Sequence, residues 1–470
     1  MWDFLYEDTD KLGFTVLGTA LFLAALWKLP VLSRAFWRGL SLACFVSSGP
    51  ILMFAHEFFD TSSVFTAAFL GGTTLALLLL GNWKSLSVHR ADLAFCVFLA
   101  GTTVSIALHG FSDPKELALL ALTVAAYPAG RVFAGAPIEP TFTITSATIV
   151  VIGAITILAA INAGPGYVDS VGKVFVFGKY GAAQLYFAIA LAFTVAALVA
   201  RPLTLEQAAK MAIAAALPTA IIASAMVRFS FVSIASMLAV AAISTPAKDR
   251  KALYVVAGAL VLAFLAGQLS RPSTAALYIK FGVEALGLGN AETTPLPLPV
   301  AAEATTPGRP PGMPDQSRCV GVDQRNTIEI RKQLYREAFQ LLPQTMLIGV
   351  GLDRFMDASC LVEKNEVHNS VLQVAVEFGW PASVALLILV LLAGQKAFSQ
   401  APSSQEARFA ICVLTFMFCM SMGHGRISRD AYLFLFLGYA VSASRQCVTR
   451  AGLPVVRKSK LKAAQIGPPA

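Results

Sequence analysis

Stretches of about twenty apolar residues recur along most of this sequence, and no other feature limits its fold as tightly. A helix crossing a bilayer needs about 20 largely apolar residues, because each adds about 1.5 Å across a hydrocarbon layer about 30 Å thick. Runs of this kind lie near residues 12–28, 38–55, 63–81, 91–109, 117–134, 141–163 and 181–200. The next stretch, 208–245, is too long for one span and is interrupted at Arg228, which predicts a hairpin of two helices. Further runs follow at 252–269, 369–393, 408–422 and 431–446. The expected fold is all-α, a polytopic integral membrane bundle of about 12 to 13 transmembrane helices with one large periplasmic loop.

Composition agrees. Of 470 residues, 56% are hydrophobic and 13% charged, with a mean hydropathy of +0.68; soluble chains carry roughly 45–50% apolar and about 25% charged residues. The net charge of +9 implies no nucleic-acid partner, because the cations sit mostly in short loops between apolar runs and no nucleic-acid-binding module is present. The opening MWDFLYEDTDK is acidic and no small-residue cleavage site follows the first run, so that run is expected to stay as a helix rather than leave as a signal peptide.

Lys and Arg in short loops mark the cytoplasmic side of a membrane protein. One set of alternate loops carries Lys28, Arg34 and Arg38, then Lys84 and Arg90, Arg131, Arg201 and Lys210, Lys248 to Lys251, Lys396 and Arg408. The basic tail 447–470 falls on the same side. The other set holds HEFFD (56–60), FSDPKE (111–116), Arg228, the long segment 271–367 and GHGRISRD (423–430), and is expected to face outwards. Within the long segment, a Pro-rich stretch should be extended. RNTIEIRKQLYREAFQLLPQ after it has Ile330, Leu334, Ala338 and Leu341 at helical spacing, with Asn326 and Glu329 as a capping pair. That helix is expected to lie against the outer membrane-water interface. Cys319 and Cys360 share this segment on the oxidising side. A disulfide is expected, with two free thiols as the alternative that spacing leaves open.

No P-loop, HExxH, paired CxxC or GxSxG is present. No metal site or cofactor is expected: the one DxD-like triplet, Asp8-Thr9-Asp10, fits an acidic tail, and Glu57 and Asp60 fit a solvated loop. Four of the five histidines, His56, His109, His368 and His424, fall at or near the outer side. His368 has a particular setting in EVHNSVLQVAVEFGWPA (366–382). Asn369 and Ser370 favour a helix start there, whose free N–H groups and positive dipole end attract anions and disfavour an imidazolium. A neutral His368 can accept a proton. Asn369, Gln373 and Glu377, spaced by four, put a polar stripe down the same helix. Outward Arg228, Arg354, Arg426 and Arg429 supply guanidinium groups that bind phosphate oxygens in pairs. Together these residues suggest a pyrophosphate site.

His368-Asn369, followed nine residues later by Gly379, resembles the His-Asn-x9-Gly signature of the O-antigen ligase and polymerase family of bacterial membrane glycosyltransferases. Ala382 stands where that pattern has Gly, Thr or Tyr. RKQLYREAFQLLPQTMLIGVGLDRF is similar to the family's upstream helix and Gly-x-Gly turn. Met226-Val227-Arg228-Phe229 replaces its usual Ser-Arg-Gly.

The resemblance implies a GT-C type fold in the inner membrane, with residues 1–207 as N-terminal helices and 208–270 with 368–446 as the ligase-like core. It also implies transfer of a glycan from undecaprenyl diphosphate to lipid A-core or a growing polysaccharide. In that reading His368 is catalytic, while Arg228 with Arg354, Arg426 or Arg429 holds the diphosphate. A transporter or flippase for lipid-linked sugars is the alternative from another class; it predicts internal repeats, broken helices and midplane charges.

Overall fold

The computed structural model describes residues 33–135, 139–163, 183–225, 228–271, 327–345, 347–360 and 366–443, with the isolated residues 20 and 276. The expected helix at 12–28, the Pro-rich stretch, Cys319, the Asn326–Glu329 capping pair, the side chain of Arg228 and the tail 447–470 lie outside the described residues.

The described residues form an all-helical bundle. In chain order its helices are α1 (Arg34–Val46), α2 (Ser48–Phe59), α3 (Ser63–Leu80), α4 (Arg90–His109), α5 (Pro114–Phe133), α6 (Pro140–Ala163), α7 (Ala183–Val199) and α8 (Leu205–Ala225). They continue as α9 (Arg228–Ser244), α10 (Arg250–Leu269), α11 (Thr327–Thr345), α12 (Phe355–Ala358), α13 (Ser370–Glu377), α14 (Trp380–Gln400), α15 (Gln405–His424) and α16 (Ala431–Ala443). Among the described residues, seven helices are long and apolar enough to span a membrane, and α1 with α2 passes the same test as one bent pair. The other apolar helices, α3, α7, α9 and α16, are shorter.

Two expected spans are interrupted, and each has a local cause. The run 38–55 bends by 69° at Ser47. Pro50, in the first turn of α2, has no N–H to continue a helical ladder, and the Gly49 N–H donates instead to Tyr432 Oη at 3.2 Å. The run 369–393, expected as one helix, is two. Pro381 would meet the carbonyl of residue 377 in a continuous helix, and Gly379 takes the left-handed φ of 87° that glycine adopts without strain. The released Glu377 carbonyl accepts from the Ser105 hydroxyl at 2.6 Å and from the Gly351 N–H at 2.9 Å. The polar stripe therefore ends at this break and does not descend along α14.

Small residues allow a close helix pair to form, as in other membrane bundles. A Cβ on Gly130 of α5 would lie 1.9 Å from the Leu435 carbonyl oxygen of α16, and one on Gly438 would lie 2.1 Å from that of Tyr127. Around this pair runs one buried core containing Phe98, Phe133, Phe193, Phe409, Phe434 and Phe436. A separate small core forms where Leu334 and Ala338 of α11 meet Phe355, Val367 and Val376. The apolar face expected to rest on lipid is thus packed against protein.

Two groups of charged residues lie at the ends of the described helices. Arg34, Arg38, Arg131 and Arg408 gather at one end of the bundle, called here the basic end, where Arg34 reaches Leu80, Arg38 reaches Phe133 and Arg408 reaches Ala200. The 110–113 loop, the 347–354 turn and the 425–430 loop meet at the other, called here the histidine end.

Candidate functional site

His368 sits at the histidine end just before α13, and its φ of 54° is rare for a non-glycine residue. This turn lets Asn369 act as N-cap, its Oδ1 accepting the Leu372 N–H at 3.0 Å. Burial lowers the His368 pKa to about 4, helped by the positive charges of Arg331 and Arg426. A pKa this low keeps the ring neutral near pH 7, and the causes are burial and two neighbouring guanidinium groups rather than the helix start.

Arg426 is the hub beside it. Its Nε lies 3.1 Å from Glu116 Oε2, its Nη2 2.7 Å from Asp353 Oδ1, and its Nη1 contacts Glu366. Arg429 Nη2 pairs with Glu116 Oε1 at 2.8 Å while 47% of its side chain stays exposed. The Ser428 hydroxyl also donates to Glu116. Asp353 takes a second bond from Ser112 Oγ at 2.7 Å. Burial is the largest influence on Glu366 and raises it to about 7, with Arg426 and Arg429 pulling the other way.

The Gly-x-Gly turn brings Asp353 to this hub. Val350 and Gly351 donate their N–H groups to the carbonyls of Val376 and Glu377 at 3.0 and 2.9 Å, and Leu352 bridges to Phe111 on the loop between α4 and α5. A Cβ on Gly349 would meet the Glu377 carbonyl at 2.2 Å. Arg354 follows this turn and is exposed.

Gln373 and Glu377 act as braces. The Gln373 Oε1 accepts the Ile427 N–H at 3.0 Å and its Nε2 donates to Glu377 Oε2 at 3.2 Å. Ser370 donates to Asp430, as does Ser421 at 2.6 Å, which fixes the start of α13 to the start of α16. The stripe thus locks α13 to the 425–430 loop.

Arg228 opens α9, and the neighbouring Phe229 ring stands edge-on to His424, centroids 6.0 Å apart. This places the Arg228 backbone beside the end of α15. Arg331 Nη2 lies 3.3 Å from His424 Nδ1. His368, Arg331, Arg426 and His424 thus share one end, with the Arg228 position next to them, whereas His56 bonds the Thr61 carbonyl at 2.7 Å.

Arg331, His424, Glu116, Asp353 and Glu366 were not singled out by sequence reasoning as site residues. Glu116 had a legible signal, an acid in the first turn of an apolar helix; the others carry none beyond their outward placement. Cys360 is disulfide-bonded, and because its partner is outside the described residues, pairing with Cys319 stays an expectation. Among the described residues, no group of three His, Cys, Asp or Glu side chains is placed to hold a metal ion.

Several apolar helices long enough to cross a bilayer, with ionisable groups gathered at one end, define a multi-pass membrane protein. A family model described as O-antigen ligase matches residues 192–387, so this part of the chain is similar to the O-antigen ligase family. The matched segment runs from α7 into α14 and contains Arg228, Arg331, Arg354 and His368, but not Arg426 or Arg429. No curated protein and no solved structure matches the chain. The family places the function among membrane glycosyltransferase-like ligases and polymerases acting on lipid-linked glycans.

Proposed function

We propose that this protein transfers a glycan from undecaprenyl diphosphate to a hydroxyl of lipid A-core, or of a similar acceptor, on the periplasmic face of the bacterial inner membrane. The observation that carries this reading is His368: a half-buried neutral imidazole beside Arg331 and Arg426, within the segment matched to O-antigen ligase. The orientation follows from the arginines of the basic end, which mark the cytoplasmic side.

In the proposed reaction the acceptor oxygen attacks the anomeric carbon and the bond from that carbon to the diphosphate breaks. His368 takes the hydroxyl proton, and the diphosphate leaves with the bonding electron pair. A positioned base of this kind contributes typically 10²- to 10⁴-fold. Fixed guanidinium groups stabilise the leaving charge without reorganising at the moment of reaction. Arg228, Arg331 and Arg354 are suited to that role. Arg426 is committed to three carboxylates and acts on His368 mainly through its charge, whereas Arg429 has one carboxylate partner and stays half exposed.

Transfer to the non-reducing end of a glycan on its own carrier, the polymerase reaction, uses the same groups. A transporter reading draws support from the interrupted helices at Ser47 and Gly379, since broken helices recur in transporters. It accounts less well for ionisable groups gathered at one end. Deleting the gene and complementing with His368→Ala and Arg228→Ala separates these readings. Intact long chains held on the carrier mean a ligase, accumulated single repeats a polymerase, and unchanged glycans with altered export a transporter. Full activity of both variants would sink the proposed site.

A further inference from the structure

We infer that the cavity between the bent α1–α2 pair, α3 and α5 takes the hydrocarbon chain of the lipid-linked acceptor, with its phosphate head on Lys115 and Arg429. The inference rests on the transferase reading above.

Ligation and polymerisation both join two lipid-anchored partners, so two lipids must be docked at once. The donor-side residues Arg228, Arg331, Arg354 and His368 all fall inside the matched segment 192–387. Every residue lining this cavity falls outside it. A second lipid site built from the rest of the chain suits the partner that differs between ligases and polymerases.

The cavity has the chemistry of such a site. It encloses about 260 Å³, and its walls include Phe45, Leu52, Leu70 and Leu122. That volume lies below the roughly 300–1,000 Å³ of ordinary small-molecule pockets. It suits a segment of one hydrocarbon chain and not a glycan. Lys115 and Arg429 line it and no carboxylate does. Both cations belong to the histidine end, Lys115 on the first turn of α5 and Arg429 in the turn before α16, and both are exposed. Cations of this kind bind phosphate oxygens. The break at Ser47 also borders the cavity through Ser48 and Gly49, and non-helical backbone at membrane depth is tolerated where protein buries it or a cavity adjoins it.

The position relative to His368 completes the case. Glu116 holds Arg429 at 2.8 Å through one oxygen and Arg426 at 3.1 Å through the other. A head group on Arg429 therefore stands one carboxylate away from the guanidinium whose charge acts on His368. No other connection of this kind links the cavity to the donor-side residues among the described ion pairs.

The test is photolabelling of the full chain in nanodiscs, with diazirine-bearing farnesyl monophosphate and diazirine-bearing lysophosphatidic acid as probes. The expected result is label on α2 and α3 around Leu52, Met53 and Leu70. Leu70→Trp should cut that label about tenfold by filling the cavity, and Lys115→Gln should weaken it by about the same factor. The probe that saturates at the lower concentration identifies an isoprenoid or an acyl chain as the source. Label confined to other helices overturns the proposal, as does equal labelling by the uncharged farnesol analogue. If Leu70→Trp fails to fold, the wild-type label map still decides. Absence of glycan transfer by the wild-type chain would sink the transferase reading whatever the label shows, whereas absence of label on a wild-type chain that does transfer would sink only this cavity.

Discussion

The two ends of the bundle use arginine in opposite ways. At the basic end three guanidinium groups close helices. Arg34 donates to the carbonyls of Leu80 and Gly81 at 3.3 Å, Arg38 to Phe133 at 2.7 Å, and Arg408 to Ala200 and Ala401 at 3.2 Å. Those carbonyls end α3, α5, α7 and α14, where the last turn leaves C=O groups without helical partners and the dipole favours a cation. Arg131 is 5% exposed and locked to Asp92 at 2.7 Å. At the histidine end, by contrast, Arg426 faces three carboxylates, Arg331 faces a histidine ring, and Arg429 is half exposed. Arginines that satisfy backbone hold a structure together; arginines set among titratable groups shape the field around a reacting atom.

The sharpest way to break this contrast is His368→Ala. Transfer in a proteoliposome assay should fall at least ~100-fold, with an unchanged unfolding midpoint. At the opposite end, Arg131→Leu leaves Asp92 without its partner and should cost about 3–5 kcal/mol in thermal unfolding. Activity per folded molecule should survive. Activity loss without instability in Arg131→Leu would erase the distinction.

Proton chemistry sharpens it further. With His368 lowered to about 4, the acid limb of the pH-rate profile should lie near 4 and not near the ordinary histidine value of about 6.5. Arg331→Gln removes a positive charge and should move that limb upward. The sign for stability follows from the same shift. The unfolded chain binds a proton below about 6.5 and the folded chain only near 4, so His368 lowers stability as pH falls through that window. Smaller effects come from backbone. Gly379→Ala forces a left-handed φ and meets the Leu347 carbonyl at 2.3 Å, for an expected loss of about 1–3 kcal/mol. Arg34→Ala, at an exposed site, should stay within about 0.5 kcal/mol.

Much of the fold was legible in sequence because hydrophobic runs are a local property. The helices at 63–80, 90–109, 114–133 and 140–163 fall within a few residues of the apolar runs, and the run 208–245 is two helices, one ending at Ala225 and the next starting at Arg228. Asn369 caps α13 as its side chain allows. The sequence reading treats 369–393 as one helix because apolarity continues unbroken through Gly379; it takes Gly379 only as a motif position and draws nothing from Pro381. The polar stripe was correctly read as one face, yet its use as a brace depends on the 425–430 loop, which the stripe itself does not encode.

The sequence by itself determined an all-helical membrane chain and a histidine at the start of a helix, whereas burial and the charges of Arg331 and Arg426 lower that histidine's pKa. Only the tertiary structure decided which charges meet. Arg429 and Glu116 are 313 residues apart, and Arg426 and Asp353 are 73 apart. Local pattern fixes what each segment can bury, since burial depends on its own side chains. Pairing of charges depends on which helix ends are brought together, and packing settles that, through contacts such as Gly130 against Leu435 and Gly438 against Tyr127 that no single segment specifies.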